Sequence, residues 1–119
     1  MNQTIRLGEV AHARSGDKGN HANIGVVAYT SEGFEFLRRE LTAARVQEFF
    51  QTLGVREVER FELPKVDALN FLLRDALGGG ASGSLRIDTQ GKVLGQAILE
   101  LQLPEPDGVE GMRCNQPSA

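Results

Sequence analysis

The chain has 119 residues, 40% of them hydrophobic and 24% charged, and a net charge of −3. This length predicts one domain, and the composition is that of a globular protein, which excludes wholesale disorder. Thirteen Lys/Arg stand against sixteen Asp/Glu without a basic run, so neither nucleic acid nor an anionic membrane is expected as a partner.

In chain order, Thr4–Ala13 carries Ile5, Leu7 and Val10 in partial alternation and predicts a strand. Asn23–Thr30 predicts a second, more continuously apolar one. The polar stretch Arg14–Ala22 between them reads as the long loop of a hairpin. Ser31-Glu32-Gly33 predicts a turn, and Phe34, Leu37 and Leu41 a short helix over Phe34–Glu40. Thr42 suits the N-cap of a second helix, with Val46, Phe49, Phe50 and Leu53 at i, i+3, i+4, i+7 and Gly54 past its end.

Val55–Leu63 predicts a strand stopped by Pro64, which has no N–H for a sheet ladder. Val66–Leu77 carries Leu69, Leu72, Leu73, Ala76 and Leu77 at helical spacing and predicts a helix ended by Gly78-Gly79-Gly80. Ser84–Asp88 predicts a strand and Thr89-Gln90-Gly91 a turn. Lys92–Leu103 is two-sided: Leu94, Ala97, Ile98 and Leu101 fit a helix, while Leu99, Leu101 and Leu103 alternate, and the alternation is taken to predict a strand. From Pro104 the chain is turn-rich and apolar-poor, so residues 1–103 are expected to form the domain and 104–119 a disordered tail. The fold class predicted is α+β, a ferredoxin-like two-layer sandwich with helices packed on a largely antiparallel sheet.

The hydrogen-bonding chemistry is concentrated in Ala11–Gly25, AHARSGDKGNHANIG, which holds both histidines. Glycines here let backbone N–H groups approach a ligand. Lys18 offers charge to a phosphate or carboxylate, and Ser15, Asn20 and Asn23 offer hydroxyl or amide contacts. The plain alternative is a long turn whose Asp and Asn satisfy their own backbone. The order of residues is not that of a P-loop, and no helix follows to hold a phosphate. His12 or His21 would serve as a base near neutral pH, with Asp17 as its acidic counterpart. A Ser15/His/Asp17 triad lacks a nucleophile elbow. Two histidines nine positions apart match no zinc spacing, so no metal or cofactor is expected.

The glycines at 78–80 follow a helical pattern rather than precede one, which excludes a dinucleotide fingerprint. They end that element, or their amides at Gly79 and Gly80 complete a cradle with the first loop. Asn70, among apolar residues, needs partners if buried: the glycine-rich backbone or a ligand. Cys114 is a lone thiol. With no apolar leader and no run of about 18 apolar residues, it points to a soluble protein of the reducing cytoplasm.

The segments AHARSGDKGNHANIGVVA, LTAARV, LPKVDALNFLLRDALGGG and SLRIDTQGK, in this order, resemble the AtuA-like ferredoxin-fold domain. That is the small C-terminal domain of the acyclic terpene utilisation AtuA family, which also occurs as a short separate protein. The resemblance spans roughly residues 5–100. It implies the sandwich architecture, and a role in breaking down acyclic terpenoids and branched acyl-CoA compounds. Because this chain resembles the small domain alone, it implies a subunit joining a larger AtuA-type partner. The motif positions carried over are Arg14, Ser15, Gly16, Asp17, Lys18, Gly19, Asn20, Asn23, Asn70, Gly78, Gly79 and Gly80. Similar proteins often have a small residue or Thr where this chain has His21.

Three functions follow as expectations. The first is an accessory, ligand-binding subunit in which Arg14 and Lys18 pair with the phosphate or carboxylate of an acyl-CoA or acid, oriented by Asn20 and Asn23. The second is a non-catalytic, homo-oligomeric assembly module that associates through a sheet edge. The third is a small stand-alone enzyme using Asp17 and His12 as acid and base.

Overall fold

The structure, a computed structural model, describes residues 3–18, 21–51, 54–55, 57–74 and 90–113. The expectations for Gly78–Gly80, Ser84–Asp88, Asn20 and Cys114 lie outside these residues.

The first expected strand is broken in two. β1 (Thr4–Arg6) gives way to a 3-10 turn at Leu7–Glu9, and β2 (Ala11–Lys18) begins after it. The break comes where the Leu7 and Gly8 N–H groups donate to the carbonyls of Leu101 and Leu99, so a distant segment takes the hydrogen bonds a continuous ladder would need. β3 (His21–Ala28) pairs antiparallel with β2 in unbroken register, from Ala11 opposite Ala28 to Lys18 opposite His21. Arg14–Lys18, expected as loop, is therefore strand. Arg14 and Gly16 face away from the core, and the Ser15 hydroxyl accepts from the Gly95 N–H, so polar residues here do not mean that the backbone leaves the sheet.

α1 (Ser31–Glu40) starts earlier than the expected turn allows. The Thr30 hydroxyl accepts from the Gly33 N–H at 2.9 Å and caps the helix at its first turn, so Ser31-Glu32-Gly33 is helical. α2 (Ala43–Phe50) is capped as expected by Thr42, which accepts from the Arg45 N–H at 3.1 Å. Val46 and Phe50 are buried, while Phe49 stays partly exposed against the edge of the Phe50 ring. Gly54 takes a left-handed φ of 88° just past the helix.

β4 (Glu57–Leu63) matches the expected strand, and a 3-10 turn at Pro64–Val66 follows it. Asp67 then turns the chain through a left-handed φ of 54° into β5 (Ala68–Arg74). The helix expected over Val66–Leu77 is thus corrected to a strand as far as residue 74. Leu69, Leu72 and Leu73 satisfied helical spacing, yet Leu69, Phe71 and Leu73 also alternate, and those three are the buried ones. Leu72, on the open face beside buried Leu73, completes the helical spacing and blurs the alternation.

α3 (Gln90–Ile98) replaces the turn expected at Gln90-Gly91 and most of the strand expected over Lys92–Leu103; β6 (Gln102–Pro104) is all that remains extended. Both sequence patterns were real. Leu94 and Ile98 are the buried helical stripe, and Leu101 and Leu103 are the buried alternating pair.

Among the described residues there are two sheets, β1–β6 and the antiparallel β2-β3-β5-β4, with helices packed on one face of the larger. This is the expected α+β, ferredoxin-like sandwich. Ile24, Val26, Leu69, Phe71 and Leu73 meet Phe34, Leu37, Val46, Phe50 and Leu94 in one core.

The body continues past the expected boundary at 103. Val109 and Met112 are buried in the same core, and a 3-10 turn forms at Val109–Gly111. The Arg113 guanidinium donates to Glu9 at 2.7 Å and to Glu110. Two apolar anchors and an ion pair hold a stretch whose composition alone read as disordered. Glu9 also accepts the Arg6 backbone N–H at 2.9 Å, and that bond, with Arg113, holds its carboxyl below the usual glutamate range. A carboxylate depressed on folding contributes stability that is complete above its unfolded value and is lost as pH falls through the folded value. Acidification below the usual glutamate range is therefore expected to loosen residues 105–113 first. Hydrogen exchange at Val109–Met112 reads this, and Glu9→Gln should produce the same loosening at neutral pH.

Candidate functional site

Strand parity sorts the polar hairpin into two faces. His12, Arg14 and Gly16 share the open face of β2; Ala11, Ala13 and Ser15 face the helices. Ser15 is an anchor there: its hydroxyl accepts from the Gly95 N–H of α3 at 2.9 Å. His12 stands on the other face of the strand from Ser15. Positions 12 and 17 have opposite parity on this strand. At about 3.3 Å per residue they are also some 16 Å apart along it.

The open face collects other expected residues. Register runs across it from Arg14 to Gly25 to Asn70 to Phe61, and in the next row from Gly16 to Asn23 to Leu72 to Glu59. Lys18 stands opposite His21 at the hairpin end. Arg14, Asn23 and Asn70 thus surround Gly25, whose missing side chain leaves a shallow dip. A Cβ there would meet only the Asn70 Oδ1, at 3.8 Å. Asn70, expected on a helix, is held in this row by a strand, with its Oδ1 at the rim of the Gly25 dip. Gly78–Gly80, with Gly79 and Gly80 among the expected site residues, and Asn20 lie outside the described residues.

Arg14 stands apart electrostatically. Arg6, Arg38, Arg45, Arg60, Arg74 and Arg113 each pair with a carboxylate, whereas among the described residues Arg14 and Arg39 have none. An unpaired guanidinium on a half-apolar face is a ready partner for a carboxylate or phosphate, which it binds with two parallel N–H donors. His12 is exposed, its ring 5.7 Å from that of Tyr29. A shallow surface groove of about 580 Å³ runs along α2, lined by Thr42, Arg45 and Glu48. It lies in the helix layer, away from the hairpin. Among the described residues, no group of three His, Cys, Asp or Glu is placed to hold a metal, and no helix is long and apolar enough to cross a membrane.

Sequence reasoning missed one part of this face. Phe61, Leu63 and Val66 are 48%, 46% and 60% exposed, and Tyr29 is 38% exposed. The parity of β4 was the available signal: Phe61 and Leu63 share it with Glu57 and Glu59, not with buried Val58. It had no meaning until β5 was known to be a strand beside β4.

The model of the AtuA ferredoxin-like domain matches residues 5–104, spanning β1 to β6. The chain belongs to this family. The AtuA ferredoxin-like match covers both strands of the polar hairpin, the Asn70 row and the whole sandwich. No curated protein and no solved structure matches the chain. The open face of this AtuA ferredoxin-like domain is accordingly read from its own geometry.

Proposed function

We propose that the chain is an accessory, ligand-binding subunit that partners a larger AtuA-type protein in the cytoplasmic breakdown of acyclic terpenoids or branched acyl-CoA compounds. Its open sheet face takes the acidic end of the ligand, a carboxylate or CoA phosphate, at Arg14, with Asn23 and Asn70 as neutral partners. The branched apolar part lies along Leu72 and Phe61. One observation supports this reading: among the described residues Arg14 is an arginine without a carboxylate, set across the Gly25 dip from Asn70. A guanidinium–carboxylate contact is strong, and an apolar strip beside it supplies the burial a branched chain needs.

Calorimetric titration with isovaleryl-CoA and with citronellate tests it. Arg14→Ala should weaken binding by about tenfold or more, equivalent to ~1.4 kcal/mol. Because Arg14 is exposed and unpaired, its melting temperature should stay close to that of the wild type. Lys18→Ala should behave alike. Unchanged affinity in Arg14→Ala, or no binding of either ligand by the wild type, would end the reading.

A further inference from the structure

We infer that the open sheet face is covered by a second copy of this chain, related by a two-fold axis parallel to the strands. Such an axis lays β2 of one copy over β4 of the other and β3 over β5. This goes beyond the ligand reading and is tested in ligand-free protein.

The face is charge-segregated in the sense this axis requires. One edge, on β2, carries Arg14; the other, on β4, carries Glu57 and Glu59, both shared with Arg74. Turned over on itself, the unpaired Arg14 reaches the acidic edge, with Phe61 of the second copy beneath it and Glu59 two residues along. The next row puts the His12–Tyr29 ring pair over Leu63 of the second copy. Every such contact occurs twice in an isologous dimer. A guanidinium over an aromatic face and a cross-interface charge pair are each favourable. The alternative axis, across the strands, would set Arg14 against its own copy.

Apolar exposure supports the same occupant. Phe61, Leu63 and Val66 form a strip beside Tyr29, larger than scattered surface apolar residues require. Four strands about 4.8 Å apart and seven residues at about 3.3 Å give a face of roughly 450 Å², so two faces cover roughly 900 Å² before corrugation is counted. That lies just below the ~1,200 Å² of small specific interfaces, which fits a reversible dimer in the micromolar range. Two twisted sheets pack face to face about 10 Å apart, the distance side chains of this size fill.

Sedimentation velocity from about 1 µM to about 1 mM tests the proposal. The wild type should pass from monomer to dimer. Phe61→Glu should raise the dissociation constant at least tenfold, while Phe49→Glu, on the helix side, should leave it unchanged. Arg14→Glu and Glu59→Arg should each weaken association several-fold, and the two together in one chain should restore it. Circular dichroism and melting confirm that each variant stays folded. A wild type monomeric at every concentration leaves the face to a different partner and overturns the inference. So does a dimer indifferent to Phe61→Glu, or a double charge reversal no better than either single one. Both occupants would use Arg14 and Phe61, so calorimetry with the acyl ligands is run at protein concentrations where sedimentation shows monomer, and there it fails or succeeds independently of these outcomes.

Discussion

Phe71→Ala is expected to cost about 3–5 kcal/mol, the range for emptying a buried aromatic site. Phe71 is fully buried on the helix side of β5, with Ile24 opposite it on β3 and Arg60 on β4. Its ring fills the centre of the sandwich, and strands on both sides hold the backbone too firmly for the hole to collapse. For a chain of this size the loss corresponds to a fall in melting temperature on the order of 15 °C, and it takes much of the ~5–15 kcal/mol a small domain has. Phe61→Ala, on the opposite face of the neighbouring strand and 48% exposed, should cost about 1 kcal/mol or less in monomeric protein. A sharper contrast uses adjacent residues. Leu73→Ala should destabilise far more than Leu72→Ala, because strand parity buries the first and leaves the second on the open face. Equal losses at 72 and 73 would mean the segment is helical.

Gly95→Ala is the second large effect, expected at about 1–3 kcal/mol in the direction of instability. A Cβ at position 95 would lie 2.8 Å from the Ser15 Oγ and 3.2 Å from the Ser15 backbone nitrogen. The hydroxyl cannot simply rotate away without giving up the bond it accepts from the Gly95 N–H. The backbone nitrogen is fixed by the sheet. α3 must therefore lift off β2, and Leu94 and Ile98 lose part of their packing. Ser15→Ala alone should cost about 1 kcal/mol, the usual worth of one hydrogen bond. In the double variant the two costs should add to less than their sum, since the oxygen responsible for the closest clash is gone. Urea unfolding of the four proteins measures the coupling. Strict additivity would mean that α3 does not rest on Ser15.

How far the sequence could be read depended on how local each signal was. The helix caps at Thr30 and Thr42 are set by one side chain and the next turn, so α2 and its cap were legible, while the missed cap at Thr30 shifted the start of α1 by a few residues. β3 was legible as a strand from its nearly continuous apolar run, although only the sheet shows which alternate residues are buried. β5 was not: with Leu72 on its open face beside buried Leu69 and Leu73, it presented those three at a spacing that helix and strand share. In Lys92–Leu103 two true periodicities overlap at Leu101, and nothing local says where one stops. Val109 and Met112 are two apolar residues in a polar stretch, and only the groove they fill makes them structural.

The same division runs through the site. Residue types near one another in the chain identified the polar hairpin, the family and a set that included Arg14, Asn23 and Asn70. Only the antiparallel register could decide which of them share a surface. It sent Ser15 into a bond with α3, put His12 and Arg14 on the other face, and brought Asn70 from forty-five residues away to the side of Gly25. Composition and short-range pattern determine what each segment is able to form. Which face a side chain occupies is a property of pairing between distant strands, and one residue of register reverses it.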